Sequence, residues 1–285
     1  MAAIGITSAV ESLVIQGPAG PLRVGPGAPL TIIAGPCVIE EPERVLHIAR
    51  GLARVAAEAG VQLVFKASFD KANRTSLDSY RGPGLESGLA VLARVRDEVG
   101  LPITTDVHLP HQAAPVARVV DLLQVPAFLC RQTDLLVACG ETGRPVNTKK
   151  GQFLAPEDMA HVVTKLRRSG SSGVMLTERG ASFGYHQLVV DMTSLPALRA
   201  LGVPACFDAT HSVQRPGGLG ARSGGDRTLV PYLARAAVAA GLDAVFMEVH
   251  DDPDRALSDG PNMVPLHEVG ALLAELAAID RLVRG

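Results

Sequence analysis

Residues 31–40 read TIIAGPCVIE, and this stretch decides between the two folds that the rest of the sequence allows. Its first residues are apolar or small and predict a buried strand, after which a Gly-Pro break places Cys37 at the strand's end. A doubly wound open sheet usually has a Gly-rich turn of the form G-x-G-x-x-G after its first strand. Since AGPCVIE is not such a turn, the stretch favours a closed barrel.

Seven further runs resemble this first strand. Most are continuous apolar segments, which is typical of strands that are buried on both faces. The eight predicted strands are residues 31–36, 62–68, 102–107, 121–127, 145–150, 173–179, 204–210 and 243–249. Apolar residues at helical spacing predict helices over residues 43–60, 84–100, 156–170, 228–241 and 265–283, with a weaker signal after the third strand. Eight strand-helix units predict an α/β fold of the (β/α)8 TIM barrel type.

Residues 11–30 fall outside the eight units. They contain two short runs around a Pro-Gly turn, which predicts an N-terminal β-hairpin that covers the bottom of the barrel. We expect residues 1–285 to form a single domain, because α/β barrels of this size are single domains.

The composition excludes several classes of protein. The chain has 285 residues, of which 47% are hydrophobic and 20% charged, and this is typical of a globular protein. A net charge of −2 without a long basic stretch gives no indication of a nucleic-acid partner. No apolar segment is long enough for a membrane span, and no signal-peptide pattern opens the chain. Four cysteines without a C-x-x-C pair then favour a reducing, cytoplasmic location.

Polar side chains follow nearly every predicted strand, and the chemistry of such barrels lies at the carboxyl ends of the strands. A group of cations would meet at this end, and they would repel one another unless an anion neutralised them. These cations are Lys66, Lys71, Arg74, Lys149 and Arg179. A carboxylate such as Asp70 or Asp106 could pair with any one of them. For the whole set we favour a phosphate site, because phosphate sites are common at this end of the barrel.

Ring closure gives Cys37 a set of neighbours. The eighth strand lies beside the first in a closed barrel, so Cys37 would face His211 and Glu248, and Asp259 could fold over the same quadrant. One sulfur, one nitrogen and two carboxylates suit zinc, iron, manganese or cobalt. The alternative is that Cys37 is a small buried hydrophobe. Rival ligands are His108, His111 and His250.

Nine segments spread over the chain from about residue 30 onward carry a family resemblance. They read FKASFDKANRTS, SYRGPGLESGL, ITTDVH, QVPAFLCRQTDL, NTKKGQFLAP, RGASFGY, DATHSVQ, SGGDR and DGPN. Together they resemble the 3-deoxy-D-manno-octulosonate 8-phosphate synthases, also named 2-dehydro-3-deoxyphosphooctonate aldolases. The resemblance implies a homotetramer of (β/α)8 barrels that makes a precursor of the lipopolysaccharide sugar Kdo. The reaction condenses phosphoenolpyruvate with D-arabinose 5-phosphate and water.

The resemblance also implies roles for individual residues. AGPCVIE resembles the metal-dependent branch, because the other branch has asparagine in place of Cys37. It implies a divalent metal ion on Cys37, His211, Glu248 and Asp259, and catalytic roles for Cys37, Lys149, His211 and Asp259. The implied substrate-binding residues are Lys66, Ser68, Lys71, Asn73, Arg74, Thr75, Asp106, Gln124, Lys149, Gln152, Arg179 and His211. Arg74 and Thr75 would reach a neighbouring subunit's site. One departure is Thr148 in NTKK, where a valine is expected.

Three rival functions remain open. The related 3-deoxy-arabino-heptulosonate 7-phosphate synthases use erythrose 4-phosphate and carry KPRTS where this chain has KANRTS, so Ala72 and Asn73 separate the two. An aldolase could form a Schiff base on Lys66 or Lys149. A protein that binds a sugar phosphate or a metal without catalysis is the third.

Overall fold

The structure is a computed structural model that describes residues 9–74, 76–217 and 224–284. In chain order its strands are β1 Leu13–Gly17, β2 Gly20–Val24, β3 Thr31–Gly35, β4 Gln62–Lys66, β5 Ile103–Asp106, β6 Leu122–Val125, β7 Val146–Lys149, β8 Val174–Glu178, β9 Ala181–Ser182, β10 Leu188–Val189, β11 Ala205–Asp208, β12 Gln214–Arg215, β13 Gly224–Gly225, β14 Ala244–His250 and β15 Val264–Pro265. The predicted barrel strands are β3 to β8, β11 and β14, and their ends agree with the prediction within two residues.

These eight strands form a closed parallel ring, which confirms the predicted TIM barrel. β14 pairs with β11 on one side and with β3 on the other, where Glu248 lies opposite Gly35. Gly35 has a φ of +156°, and a Cβ atom there would lie 2.0 Å from the carbonyl oxygen of Lys66. Only glycine therefore allows β3 to approach β4 this closely at the carboxyl end of the ring.

Eight α-helices surround the ring. They are α1 Pro42–Ala59, α2 Leu85–Val99, α3 Pro110–Ala117, α4 Thr133–Glu141, α5 Ala160–Arg168, α6 Ser194–Arg199, α7 Val230–Ala239 and α8 Leu266–Arg284. Short 3-10 turns occupy Ala127–Leu129, Pro156–Met159, His211–Val213, Arg227–Leu229, Pro253–Arg255 and Gly260–Asn262. Two predicted helices therefore begin with a 3-10 turn, before α5 and α7. The sequence analysis missed α4, in which residues 135–139 are apolar without a helical period, and α6, which has only six residues.

The lower interior of the barrel is apolar and is closed by the predicted hairpin. β1 and β2 pair antiparallel, and side chains of this hairpin pack against inward-facing residues of the ring. The cluster consists of Leu13, Ile15, Val24, Ile33, Val64, Leu122, Met175, Cys206, Ala244 and Phe246. Leu13 also meets Gly173, and Gly17 meets Pro102, both just before barrel strands begin. The hairpin therefore covers the amino-terminal end of the barrel, as predicted.

The upper interior of the same ring is polar. Its buried side chains are Lys66, Asp106, Gln124, Asn147, Lys149, Thr177, Asp208 and Glu248. They lie near the carboxyl ends of the strands, where barrel enzymes place their chemistry.

Within the described ranges, none of the helices combines the length and the apolar character that crossing a membrane requires.

Thr148 stands where the family pattern has valine, and this difference predicts a stabilising substitution. Thr148 is fully buried on β7, and its hydroxyl oxygen has no hydrogen-bond partner among the described residues. Thr148→Val removes a buried, unpaired hydroxyl at nearly constant volume, so we expect the free energy of unfolding to rise by about 1 kcal/mol. Thermal denaturation of the purified chain measures the change.

Thr105 on β5 supplies the matched control. It is equally buried, but its hydroxyl donates to the carbonyl oxygen of Ala67 at 2.7 Å. Thr105→Val should therefore lower the stability by about 1 kcal/mol. A loss of stability in both variants would contradict our account of Thr148.

Candidate active site

A cleft with two adjoining lobes opens at the carboxyl ends of the strands. The inner lobe has a volume of about 180 Å³, and the outer lobe has about 500 Å³. Residues that border both lobes are Lys71, Asn73, Phe128, Arg179 and His211. The lobes therefore form one continuous cleft, and a ligand in the inner lobe would adjoin a ligand in the outer lobe.

Two of the predicted cations lie in the inner lobe and pair with buried carboxylates. Nζ of Lys66 lies 2.8 Å from Oε1 of Glu248, and it also donates to the carbonyl oxygen of Cys37 at 2.9 Å. Nζ of Lys149 lies 2.5 Å from Oδ2 of Asp208. The pairing alternative is thus correct for these two lysines, although the partners are not Asp70 or Asp106.

The other two cations of the inner lobe are held less tightly. Nζ of Lys71 lies 3.7 Å from Oε1 of Glu248. Arg179 donates to amide oxygens, at 2.7 Å to Gln152 and at 3.3 Å to Gln214. The carboxylates of Asp208 and Asp259 act on Arg179 only at longer range, so Lys71 and Arg179 are the cations best placed for an anionic ligand.

The ring of Phe246 lies against the two inner lysines. Its centroid lies 3.5 Å from Nζ of Lys149 and 5.5 Å from Nζ of Lys66. An aromatic face attracts cations, so the ring helps to hold both ammonium groups. Phe246 also belongs to the apolar cluster below and therefore marks the boundary between the two halves of the interior.

Ring closure brings the four predicted metal ligands together. Sγ of Cys37, an oxygen of Glu248 and an oxygen of Asp259 lie within 4.8 Å of one another. Nε2 of His211 lies 3.8 Å from Oε1 of Glu248 and 4.0 Å from Oδ2 of Asp259. The other oxygen of Glu248 is buried without a hydrogen-bond partner in the part of the chain that the structure describes. A buried carboxylate oxygen is rarely left unpaired, so this donor set fits a divalent transition ion.

Burial and the neighbouring charges favour a neutral Cys37 thiol and an ionised Glu248 carboxylate. Burial raises the pKa of the Cys37 thiol, and the charge of Glu248 adds to this rise. Sγ of Cys37 lies 3.0 Å from Oγ of Ser258 and 3.3 Å from Oδ2 of Asp259, so the single S–H can donate to either one. Burial alone would also raise the pKa of Glu248, but Lys66 and then His211 hold it well below its usual range. A cation in the cluster would instead favour the thiolate.

Asp208 is a site residue to which the sequence analysis gave no role. Its Oδ2 lies 2.8 Å from Nδ1 of His211, and its Oδ1 accepts the backbone N–H of His211 at 2.9 Å. Burial alone would raise the pKa of Asp208, but His211 and Lys149 hold it well below its usual range. The ionised carboxylate turns Nε2 of His211 toward Glu248, as carboxylates behind metal-binding histidines do. The spacing Asp-x-x-His in DATH was the available signal.

Asp106 is held by a chain of buried side chains. It accepts from Ser68 at 2.6 Å and from Gln124 at 2.7 Å. Gln124 in turn accepts from Asn147 at 3.0 Å, and Asn147 accepts from Thr177 at 2.7 Å. Ser68 and Gln124, for which the resemblance implies substrate binding, therefore lie buried behind Asp106, which itself borders the inner lobe. Their direct contact with a substrate stays a prediction.

Residues of the KANRTS segment line the outer lobe. Asn73 and Arg74 border this lobe, as does Gln152. Nη1 of Arg74 donates to Ser258 at 2.7 Å, beside the thiol of Cys37. Thr75 lies outside the described residues. The reach of Arg74 and Thr75 into a neighbouring subunit remains a prediction.

The rival histidines have other neighbours. His250 lies 3.5 Å from Glu40 and 3.2 Å from Asp251. The ring of His108 packs edge-on against Phe69, with 5.6 Å between the centroids, and His111 is exposed on α3. Of the four candidate histidines, His211 lies beside Glu248 and Asp259, as a metal ligand in the Cys37 cluster should.

Comparison with known proteins agrees with the motifs. A family model described as the DAHP synthetase I family matches residues 10–283. Three curated relatives carry the name 2-dehydro-3-deoxyphosphooctonate aldolase. The relative from Desulfatibacillum aliphaticivorans is 59% identical over 260 residues, which are 91% of this chain and 95% of the relative. The relative from Nitratidesulfovibrio vulgaris is 61% identical over 248 residues, or 87% and 91% of the two chains. The relative from Cyanothece sp. is 58% identical over 258 residues, or 90% and 94%.

These matches confirm the family resemblance on which the sequence analysis relied, and they cover nearly the whole barrel. The chain therefore belongs to the DAHP synthetase I family and, within it, to the family of the 2-dehydro-3-deoxyphosphooctonate aldolases.

Proposed function

We propose that this chain condenses phosphoenolpyruvate with D-arabinose 5-phosphate and water, and that it releases 3-deoxy-D-manno-octulosonate 8-phosphate and inorganic phosphate for Kdo and lipopolysaccharide synthesis. One observation carries this proposal. Four cations line a single cleft directly beside the Cys37 cluster, and they are Lys66, Lys71, Lys149 and Arg179. The names of the relatives support the same reaction.

The two lobes match the two substrates in charge and in size. Both substrates are anions, and the cations reduce the repulsion between them while they fix their orientation. The inner lobe suits the three-carbon phosphoenolpyruvate, and Lys71 and Arg179 are available for its phosphate and carboxylate. The outer lobe, bordered by Asn73 and Arg74, has room for the five-carbon sugar phosphate.

The reaction needs a positioned enol, a positioned aldehyde and a water molecule. The double-bond electrons of the enol form a bond from carbon 3 to the aldehyde carbon, and the aldehyde oxygen takes up a proton. Carbon 2 gains cationic character, water adds there, and phosphate leaves by C–O cleavage. Burial alone would raise the pKa of Asp106, but Lys66 and Lys71 hold it well below its usual range. Asp106 is therefore ionised, and because it borders the inner lobe it can accept a hydrogen bond only from the end of the sugar that reaches the enol.

Cys37, His211, Glu248 and Asp259 would hold a divalent ion such as zinc, iron, manganese or cobalt. Such an ion supplies Lewis-acid polarisation of an aldehyde oxygen or of a water molecule. The chain itself orients His211, because Oδ2 of Asp208 lies 2.8 Å from Nδ1 and the backbone N–H of His211 donates to Oδ1, while His211 borders both lobes.

A homotetramer, a cytoplasmic location, a single domain over residues 1–285 and the absence of a nucleic-acid partner remain predictions. The family resemblance supports the first two. The net charge of −2 supports the last.

The family match alone does not separate the proposed reaction from that of the heptulosonate 7-phosphate synthases. The choice of aldose does, because the two reactions use different sugar phosphates. We expect kcat/KM for phosphate release to be at least about tenfold higher with arabinose 5-phosphate than with erythrose 4-phosphate, since Asn73 of KANRTS borders both lobes. A preference for erythrose 4-phosphate would support the rival synthase. Binding of either sugar without phosphate release would support a non-catalytic protein.

Loss of the thiol tests the metal site. Cys37→Ala should lower the metal content of the purified chain. In the same sample it should lower the rate of phosphate release by at least about 100-fold. Elemental analysis and the phosphate assay measure the two effects on the same sample. Cys139→Ala is the control, because Cys139 is equally buried but lies in the apolar core on α4. Full turnover in metal-stripped Cys37→Ala would refute the role of the cluster.

The ion pairs of the two inner lysines predict that no Schiff base forms. A Schiff-base lysine must lose its proton to attack a carbonyl group. Nζ of Lys66 and Nζ of Lys149 each lie within 2.8 Å of a buried carboxylate, so attack on a carbonyl group would also require the breaking of a buried ion pair. Borohydride treatment with pyruvate should therefore add no mass to the chain. A reduced adduct on Lys66 or Lys149 would establish the aldolase alternative.

A further inference from the structure

We propose that Glu40 is a positioning residue that holds the segment of Cys37 and the segment of Asp259 together, and that it thereby sets the affinity of the Cys37 cluster for a divalent ion. The affinity part of this inference rests on the metal site proposed above. The positioning part concerns the chain alone.

One oxygen of Glu40 joins two distant segments. Glu40 follows Cys37 by three residues, and its side chain is only 6% exposed. Its Oε1 accepts the backbone N–H of Leu257 at 2.8 Å. Leu257 precedes Asp259 by two residues. This bond therefore ties the first ligand of the cluster to the last, across 217 residues of sequence.

The other oxygen anchors Glu40 to the barrel. Its Oε2 accepts from Nη1 of Arg44 on α1 at 3.0 Å and lies 3.5 Å from Nε2 of His250. Asp251 completes the group, at 3.4 Å from Arg44 and 3.2 Å from His250. Glu40 thus contacts α1, the end of β14 and the loop after β14 at the same time. We call Glu40, Arg44, His250, Asp251 and the Leu257 amide the Glu40 bracket.

The segment that the bracket holds has an unfavourable backbone conformation. Asp259 has a φ of +49°, in the left-handed region that residues with a side chain rarely adopt. Such a conformation is strained and persists only where its surroundings impose it. On one side, the backbone N–H of Asn262 donates to the carbonyl oxygen of Asp259 at 2.9 Å. On the other side, the Glu40 bracket supplies the restraint.

Glu40 acts behind the ligands, because it borders neither lobe of the cleft. Burial alone would raise the pKa of Glu40, but the nearby ring of His250 and the hydrogen bond from the Leu257 amide lower it below its usual value. The bond to Leu257 is therefore a charge-assisted one, which is stronger than a bond between neutral groups. Residues that orient metal ligands in this way typically change metal affinity by about 10–100-fold when they are removed.

Zn²⁺ affinity of the full chain tests the inference. Competition against a chromogenic chelator should give an affinity at least about tenfold weaker for Glu40→Ala than for the parent chain. Glu41→Ala is the matched control, because Glu41 is exposed and its side chain caps no backbone N–H of α1. It should bind Zn²⁺ as the parent does. Glu40→Gln keeps an oxygen that can accept from Leu257, so its affinity should lie between those of the parent and Glu40→Ala.

Hydrogen exchange of the Leu257 amide in the metal-free chain is the second measurement, and it does not depend on any metal. We expect exchange at least about tenfold faster in Glu40→Ala and unchanged in Glu41→Ala. If Glu40→Ala does not fold, Glu40→Gln takes its place, with a smaller change of the same sign.

The two measurements separate the possible failures. Parent-like Zn²⁺ affinity in Glu40→Ala overturns the affinity claim, and parent-like exchange at Leu257 overturns the positioning claim. Equal losses of affinity in Glu40→Ala and Glu41→Ala would also overturn the inference, because they would show a general charge effect. A parent chain that binds no Zn²⁺ overturns the metal site of the proposed function, while faster exchange in Glu40→Ala would still support positioning.

Discussion

The upper half of this barrel depends on one buried ion pair, between Lys66 on β4 and Glu248 on β14. Both side chains are 1% exposed, and the charged atoms lie 2.8 Å apart. Buried charges are tolerated only when they are paired, so each residue requires the other at this depth. β3 lies between the two strands, and Gly35 is the residue that lets its end pass the Lys66 backbone. The pair and the glycine together fix how the first and last strands of the ring meet.

Glu248 also links the two parts of the site. Its Oε1 pairs with Lys66, its Oε2 has no hydrogen-bond partner among the described residues, and the carboxylate belongs to the Cys37 cluster. Near the inner lobe and the Cys37 cluster, the four cations Lys66, Lys71, Lys149 and Arg179 lie close to four carboxylates, which are Asp106, Asp208, Glu248 and Asp259. These charges largely offset one another in the described chain. A divalent ion in the Cys37 cluster would offset carboxylate charge, and the lysines and Arg179 would then attract an anion more strongly. Binding of the cation and binding of the anionic substrate should therefore reinforce one another, and this coupling is reciprocal.

The sequence was sufficient for the barrel, because the barrel follows from pattern and closure. The ligand set was predicted only with the help of the family resemblance, because closure left Cys37 open as a small buried hydrophobe. Continuous apolar runs marked the strands, and closure alone placed Cys37 beside Glu248. Short helices such as α6, which has six residues including Pro196, gave too little periodicity to detect. The bond from Glu40 to Leu257 spans 217 residues and has no local signal. The link between Asn147 and Thr177 was missed for another reason, because it depends on the register of β7 against β8, which periodicity does not specify.

The cysteines show why residue type and burial alone could not decide the function of Cys37. Cys139 and Cys206 are as buried as Cys37, and burial raises the pKa of each thiol to about 12. Cys139 lies in the apolar core of the helix layer, whereas the sulfur of Cys37 touches Ser258 and Asp259. A carboxylate in place of Cys37 would add another negative charge to a site that already holds four. A thiol avoids this cost, because it stays neutral when the cluster holds no cation and can ionise when a divalent ion arrives. The chain can therefore fold before it binds metal, without a further unpaired buried charge at the end of β3.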